Sequence, residues 1–130
     1  MKNAKELMQA YHSNIQNPDA LLPLFAEDGA IELPYLESLG MEWRTVGPEN
    51  IKNMVAGIIR NAPDFKFINI RFYIETPEQV FAEYSVDCLF NGKPYKQTYM
   101  GRLVAVNGKI KLIREGMNLY SVIKMSDTKI

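Results

Sequence analysis

Two Asn-Gly dipeptides, Asn91-Gly92 and Asn107-Gly108, each stand between long runs of alternating apolar and polar residues. Two-residue connections of that composition suit the turns with positive φ that return one strand antiparallel beside the last. "QVFAEYSVDCLF" before the first dipeptide, "KPYKQTYMGRLVAV" between the two and "KIKLIREGMNLY" after the second therefore read as an antiparallel meander. "FKFINIRFYIET" precedes them as a fourth strand, with Ile68, Ile70, Phe72 and Ile74 on one face at period two.

The first half of the chain follows a different period. Ala4, Leu7, Met8, Tyr11 and Ile15 form the apolar stripe of an amphipathic helix. Asn17 can cap a second, short helix with Pro18 at its first position, running through "LLPLF" to a stop at Asp28-Gly29. "AIELPY" reads as a short strand ended by Pro34, and residues 36–47 as loop with at most one short strand. "GPENIKNMVAGIIRN" restarts a helix, with Pro48 in its first turn and Ile51, Met54, Val55 and Ile58 on one face. Helices early and strands late argue for an α+β fold: one domain over residues 1–130, three N-terminal helices packed on the concave face of a cone-shaped, mixed or antiparallel sheet. Such a cone encloses a pocket, the ordinary place for a small molecule.

Composition narrows the partners. Fifteen basic and fifteen acidic residues cancel, which gives no footprint for nucleic acid or an anionic membrane. The single cysteine, Cys88, permits no internal disulfide and fits a reducing compartment. "MKNAKELMQAYHSN" lacks the apolar core of a signal peptide, and no run reaches the roughly 18 apolar residues of a membrane span, so a cytoplasmic protein is expected. His12, the only histidine, has no Cys/His cluster around it, so no metal site is expected. It sits off the helical stripe and reads as a solvated surface residue. No phosphate-binding loop, dinucleotide fingerprint or serine elbow occurs, and no cofactor is expected.

One residue breaks the pattern. On the last run, Ile113, Glu115, Met117 and Leu119 share a face, so a carboxylate lies in an apolar row. The opposite face, with Ile110, Leu112, Arg114, Gly116, Asn118 and Tyr120, is also partly apolar, and a bulge at Gly116 would change the phase. Facing inward, Glu115 is desolvated, and its pKa moves toward values useful to a general acid or base. Facing outward, it is an ordinary ion-pairing residue. Glu32, between Ile31 and Leu33, points away from the core by the same alternation.

The order of elements, with "LMQAY" in the first helix, "LFAEDGAIELP" leading into the first strand, "GPENI" opening the third helix and "NGK…NGKI" in the meander, resembles the nuclear transport factor 2-like superfamily, a cystatin-like roll. Within it, the chain is most similar to ketosteroid isomerase-like and SnoaL-like (polyketide cyclase-like) proteins over roughly residues 4 to 122. The resemblance implies a hydrogen-bond donor at Tyr11 and turns Ile113, Glu115 and Met117 toward the pocket. It also implies departures. The residue before the first-strand proline, where the steroid isomerases keep their base, is Leu33, and the position of their oxyanion acid is Gly101. The segment "EGMN" stands where SnoaL-like cyclases often carry "EYWD", so Glu115 matches a carboxylate and Asn118 replaces another.

The expected catalytic residues are Glu115, as proton shuttle, and Tyr11. Tyr99, Tyr84, Gln97, Met117, Leu33, Trp43 and Asn118 are expected substrate contacts, each with ordinary packing as its alternative. The expected activity is cofactor-free proton transfer of isomerase, cyclase or hydratase type on a small apolar substrate. The alternative is a non-catalytic binding or interaction module. Apolar residues on the meander's second face (Phe81, Leu89, Met100, Val104 and Val106) point to a sheet-on-sheet homodimer.

Overall fold

In the computed structural model, which describes residues 1–126, the meander forms as its turn chemistry requires. Asn91 and Asn107 both adopt φ 52°, followed by Gly92 at 78° and Gly108 at 74°. Positive φ at both central positions is the geometry that Asn-Gly accepts at least cost. Strands β3 (Ile68–Glu75), β4 (Gln79–Phe90), β5 (Lys93–Val106) and β6 (Lys109–Met117) are joined antiparallel in sequence. Before them come β1 (Phe25–Glu32), which runs parallel to β6, and β2 (Arg44–Val46), antiparallel to β1. The result is one curved, mixed sheet in the order β2-β1-β6-β5-β4-β3.

Helix α1 (Ala4–Ser13) starts at a reciprocal capping box. Asn3 Oδ1 accepts from the Glu6 amide at 2.9 Å, and Glu6 Oε1 accepts from the Asn3 amide at 3.0 Å. Its stripe, Ala4, Leu7, Met8 and Tyr11, is buried together with Ile15, against β4, β5 and β6. Helix α2 (Pro48–Asn61) begins with proline at its first position and buries Ile51 and Val55, with Met54 and Ile58 half-buried at the margin. Between these helices, residues Pro18–Leu24 and Pro34–Leu39 form two short 3-10 helices. No helix among the described residues is long and apolar enough to cross a membrane.

Local chemistry moved two boundaries and broke one periodic face. The strand β1 starts at Phe25, earlier than the run "AIELPY", and absorbs Asp28-Gly29 as an irregularity between the pairs Phe25↔Ile110 and Ala30↔Leu112. In β3 the left-handed Asn69 (φ 52°) and two register slips break the period-two row. Ile70 and Ile74 are therefore exposed, at 38% and 67%, where strict alternation put them on one face with the half-buried Ile68 and Phe72. The last strand ends at Met117. Asn118 Oδ1 accepts from the Tyr120 amide at 2.9 Å, and a further helix, α3 (Leu119–Met125), begins where the alternation predicts more strand. Finally, no bulge occurs at Gly116: pairing of β5 with β6 is continuous from Tyr99↔Met117 to Val104↔Leu112, and the slip falls beyond it.

Candidate functional site

Unbroken register at Gly116 settles which way the odd carboxylate faces. Ile113 and Glu115 are buried, Met117 is half-buried against the core, and Arg114 is exposed on the other side. Glu115 is only 3% exposed, and its partner is a phenol: the Tyr84 hydroxyl donates to its Oε2. Among the described residues no lysine or arginine is paired with it. Burial pushes its pKa up to about 7, against the smaller downward pull of the Tyr84 hydrogen bond. A carboxyl at that value both takes and returns a proton near neutral pH.

The tyrosine reaches Glu115 across an intervening strand. Tyr84 on β4 pairs with Tyr99 on β5, while Gly101 of β5 pairs with Glu115 of β6. The Tyr84 side chain leans over Gly101 to arrive at the carboxylate. A Cβ on Gly101 would collide with the Tyr84 hydroxyl oxygen and lie 2.9 Å from Cζ. The position where the resemblance places an oxyanion acid thus holds a glycine, and the vacated space is taken by a phenol from the next strand. The sequence presents Tyr84 only as a substrate contact. Neither the collision at Gly101 nor the diagonal reach is visible without the strand register.

Rings from several elements complete the surroundings. Tyr84 and Tyr99 stack with centroids 5.7 Å apart, and Phe67 meets both edge-on at 5.1 and 5.9 Å. Tyr11 on α1 lies 5.8 Å from Phe67 and 6.2 Å from Phe25. Burial, then the charge of Glu115, holds the Tyr11 hydroxyl well above the usual tyrosine range, and burial does the same for Tyr84 and Tyr99. All three stay protonated and able to donate. The Tyr99 hydroxyl lies 2.9 Å from that of Tyr95.

His12 corrects the expectation of a solvated residue. It is 5% exposed, because the buried face of α1 widens where the Tyr84 and Phe67 rings pack at 4.2 and 4.7 Å. Among the described residues, neither ring nitrogen has a hydrogen-bond partner. Burial lowers its pKa to about 3, so the imidazole is neutral. The apolar stripe of the helix gave no warning, because the covering rings come from an irregular segment and a distant strand.

The remaining expected contacts divide. Leu33 and Trp43 are half-buried against the core, and the Leu33 amide donates to the Trp43 carbonyl at 2.7 Å. The polar atoms of Gln97 go instead to the fold: Oε1 accepts from the Asn118 amide at 2.7 Å, and Nε2 donates to the Asn118 carbonyl at 2.9 Å. The Asn118 side chain is occupied as the cap of α3. Glu32 does face away from the core, bridging Arg114 at 2.6 Å and Arg44 at 2.8 Å. Burial opposes its charge, but those two hydrogen bonds hold its carboxyl below the usual range. Among the described residues, no group of three or more His, Cys, Asp or Glu side chains is gathered as metal ligands.

Solved structures share this architecture. A candidate isomerase from Bacillus subtilis superposes with a TM-score of 0.83 at 20% identity, covering 98% of this chain and 94% of its own. A candidate polyketide cyclase from Xanthomonas campestris pv. campestris gives 0.79 at 21% identity, covering 95% and 96%. A protein with a ketosteroid isomerase-like fold from Catenulispora acidiphila, in complex with trimethylamine, gives 0.79 at 20% identity, covering 95% and 94%. At such identities the likeness speaks for the fold alone. No curated protein matches the sequence. The SnoaL-like domain matches residues 4–113, from the first helix into the strand that carries Glu115, and the chain belongs to that family.

Proposed function

We propose that this protein catalyses cofactor-free proton transfer on a small, largely apolar molecule, with Glu115 as the shuttling base and acid. The observation that carries this reading is a buried carboxyl held by one tyrosine, with no cation paired to it among the described residues. As a carboxylate, Glu115 removes a proton from carbon next to a carbonyl, and the electron pair moves onto the carbonyl oxygen. Tyr11 and Tyr99 donate hydrogen bonds to that developing oxyanion, and Tyr84 fixes the carboxyl. Protonated Glu115 then returns the proton at a second position. Isomerisation, aldol-type cyclisation and hydration share this step.

Carbon-13 NMR titration of the Glu115 carboxyl, assigned with Glu115→Gln, tests the reading. A midpoint near 7 sustains it, and a midpoint in the ordinary carboxylate range removes its only base. With any substrate found, Glu115→Gln is expected to lower the rate by about 10²- to 10⁴-fold.

A second reading, a non-catalytic binding module, is favoured by the aromatic filling of the interior, where Phe67 and Tyr84 occupy space a substrate needs. In either case we place the protein in the cytoplasm as a homodimer joined through the outer sheet face, where Leu89, Met100 and Val106 are exposed.

A further inference from the structure

A buried donor or acceptor left without a partner costs about 1–3 kcal/mol, so native interiors hold few of them. His12 contributes two such atoms, both ring nitrogens, in the middle of an aromatic cluster. The rings of Tyr84, Phe67 and Tyr11 pack around His12 without hydrogen-bonding to it, and the Tyr84 hydroxyl is engaged by Glu115.

The cluster adjoins the surface. A groove of about 420 Å³ is lined by Gln9, His12, Ser13, Phe67, Ile70 and Phe72. Phe67 lines that groove and packs edge-on against Tyr84 and Tyr99. Its ring touches five others, those of Tyr11, His12, Phe65, Tyr84 and Tyr99. Yet Phe67 itself belongs to no helix or strand: it sits in the irregular segment between α2 and β3 and is only half-buried.

We propose that the volume held by the Phe67 ring, continuous with the groove beside it, is a binding subsite for a planar ring bearing one neutral polar substituent, which hydrogen-bonds to His12. Phenols, enols and conjugated carbonyls are the ligand classes that qualify. The ligand ring repeats the edge-on contacts Phe67 makes with Tyr84 and Tyr99, and its substituent gives the imidazole the partner it lacks. The neutral imidazole offers one donor and one acceptor, so either kind of substituent is served, whereas a carboxylate would enter an apolar enclosure beside Glu115 with no cation to meet it. This deepens the proton-transfer reading and rests on it only in placing the ligand one ring away from Glu115.

The chain's single histidine makes the signal unambiguous. Protein carrying nitrogen-15 histidine is titrated with 4-methylphenol, toluene and 4-methylbenzoate, in the wild type, Phe67→Ala and Phe67→Leu. The expected result is a saturable shift of the His12 ring nitrogens with 4-methylphenol. Affinity should rise at least about tenfold in Phe67→Ala, with toluene about tenfold weaker than the phenol and the benzoate weaker still. Equal binding of toluene and 4-methylphenol, or His12 signals indifferent to the phenol, overturns the proposal. Should Phe67→Ala fail to fold, the wild type and Phe67→Leu decide the question by the same criteria. The Glu115 titration in the same samples keeps the two readings apart. A midpoint near 7 with an unresponsive His12 defeats the subsite alone, and a responsive His12 with an ordinary Glu115 defeats proton transfer alone.

Discussion

At the scale of single residues, two buried titratable groups pull stability in opposite directions. Glu115 has a folded pKa of about 7 against 4.5 for the free side chain, so between those values the native state binds the extra proton. Stability from this group therefore falls as pH rises from about 4.5 to 7, by about 3 kcal/mol for a shift of that size. His12 behaves in the reverse sense. With a folded pKa of about 3 against 6.5, its unfolded form binds more protons across that range, and stability rises with pH. Urea denaturation across pH should show Glu115→Gln losing the decline above 4.5, and His12→Phe losing the rise below 6.5. Gly101→Ala probes the same site sterically. The added methyl meets a Tyr84 ring held by Glu115, so the expected cost is about 1–3 kcal/mol, measured by thermal unfolding, with the Glu115 midpoint displaced as the phenol withdraws.

At the scale of elements, the junction of β6 and α3 depends on two amides. Asn118 ends the strand by capping the helix, and Gln97 holds the Asn118 backbone from β5 on both its N–H and its carbonyl. Asn118→Ala should cost about 0.5–2 kcal/mol, the range for a lost cap, and Asn118→Asp should recover most of it. Equilibrium unfolding in urea measures both. Gln97→Leu, which leaves the Asn118 backbone groups without partners, is expected to cost more than Asn118→Ala. The same junction explains why period-two counting runs past Met117. Alternation reports which face a residue takes while the strand lasts, but a capping side chain, not hydrophobicity, decides where it stops.

At the scale of the whole molecule, among the described residues the sheet's inner face is closed by helices and its outer face is not. Exposed on the strands are Ile74, Leu89, Met100 and Val106, at 67%, 58%, 52% and 46%. If that face joins two copies, a charge at its centre should separate them. Met100→Lys is expected to shift the protein from dimer to monomer in sedimentation velocity, with little change in monomer secondary structure. Unchanged sedimentation would remove the outer sheet as the interface. Near it, the bridge from Glu32 to Arg44 and Arg114 ties β1, β2 and β6 together on the same side.

What the sequence by itself determined is local in origin. Asn-Gly dipeptides set two hairpins because few other residues accept positive φ twice in succession, and the stripe of α1 and the proline-led start of α2 follow from helical period and capping. From these came the α+β order, and the family resemblance aimed Glu115 inward. Tertiary structure decided the rest, because it depends on side chains far apart in the chain. The Tyr84 contact with Glu115 needs the register of three strands and a glycine between them. His12 is enclosed by rings from residues 67 and 84, which no helical period of α1 can foresee. Ile70 and Ile74 lost the face they shared with Ile68 and Phe72 through register slips, since a period-two face survives only while the pairing does.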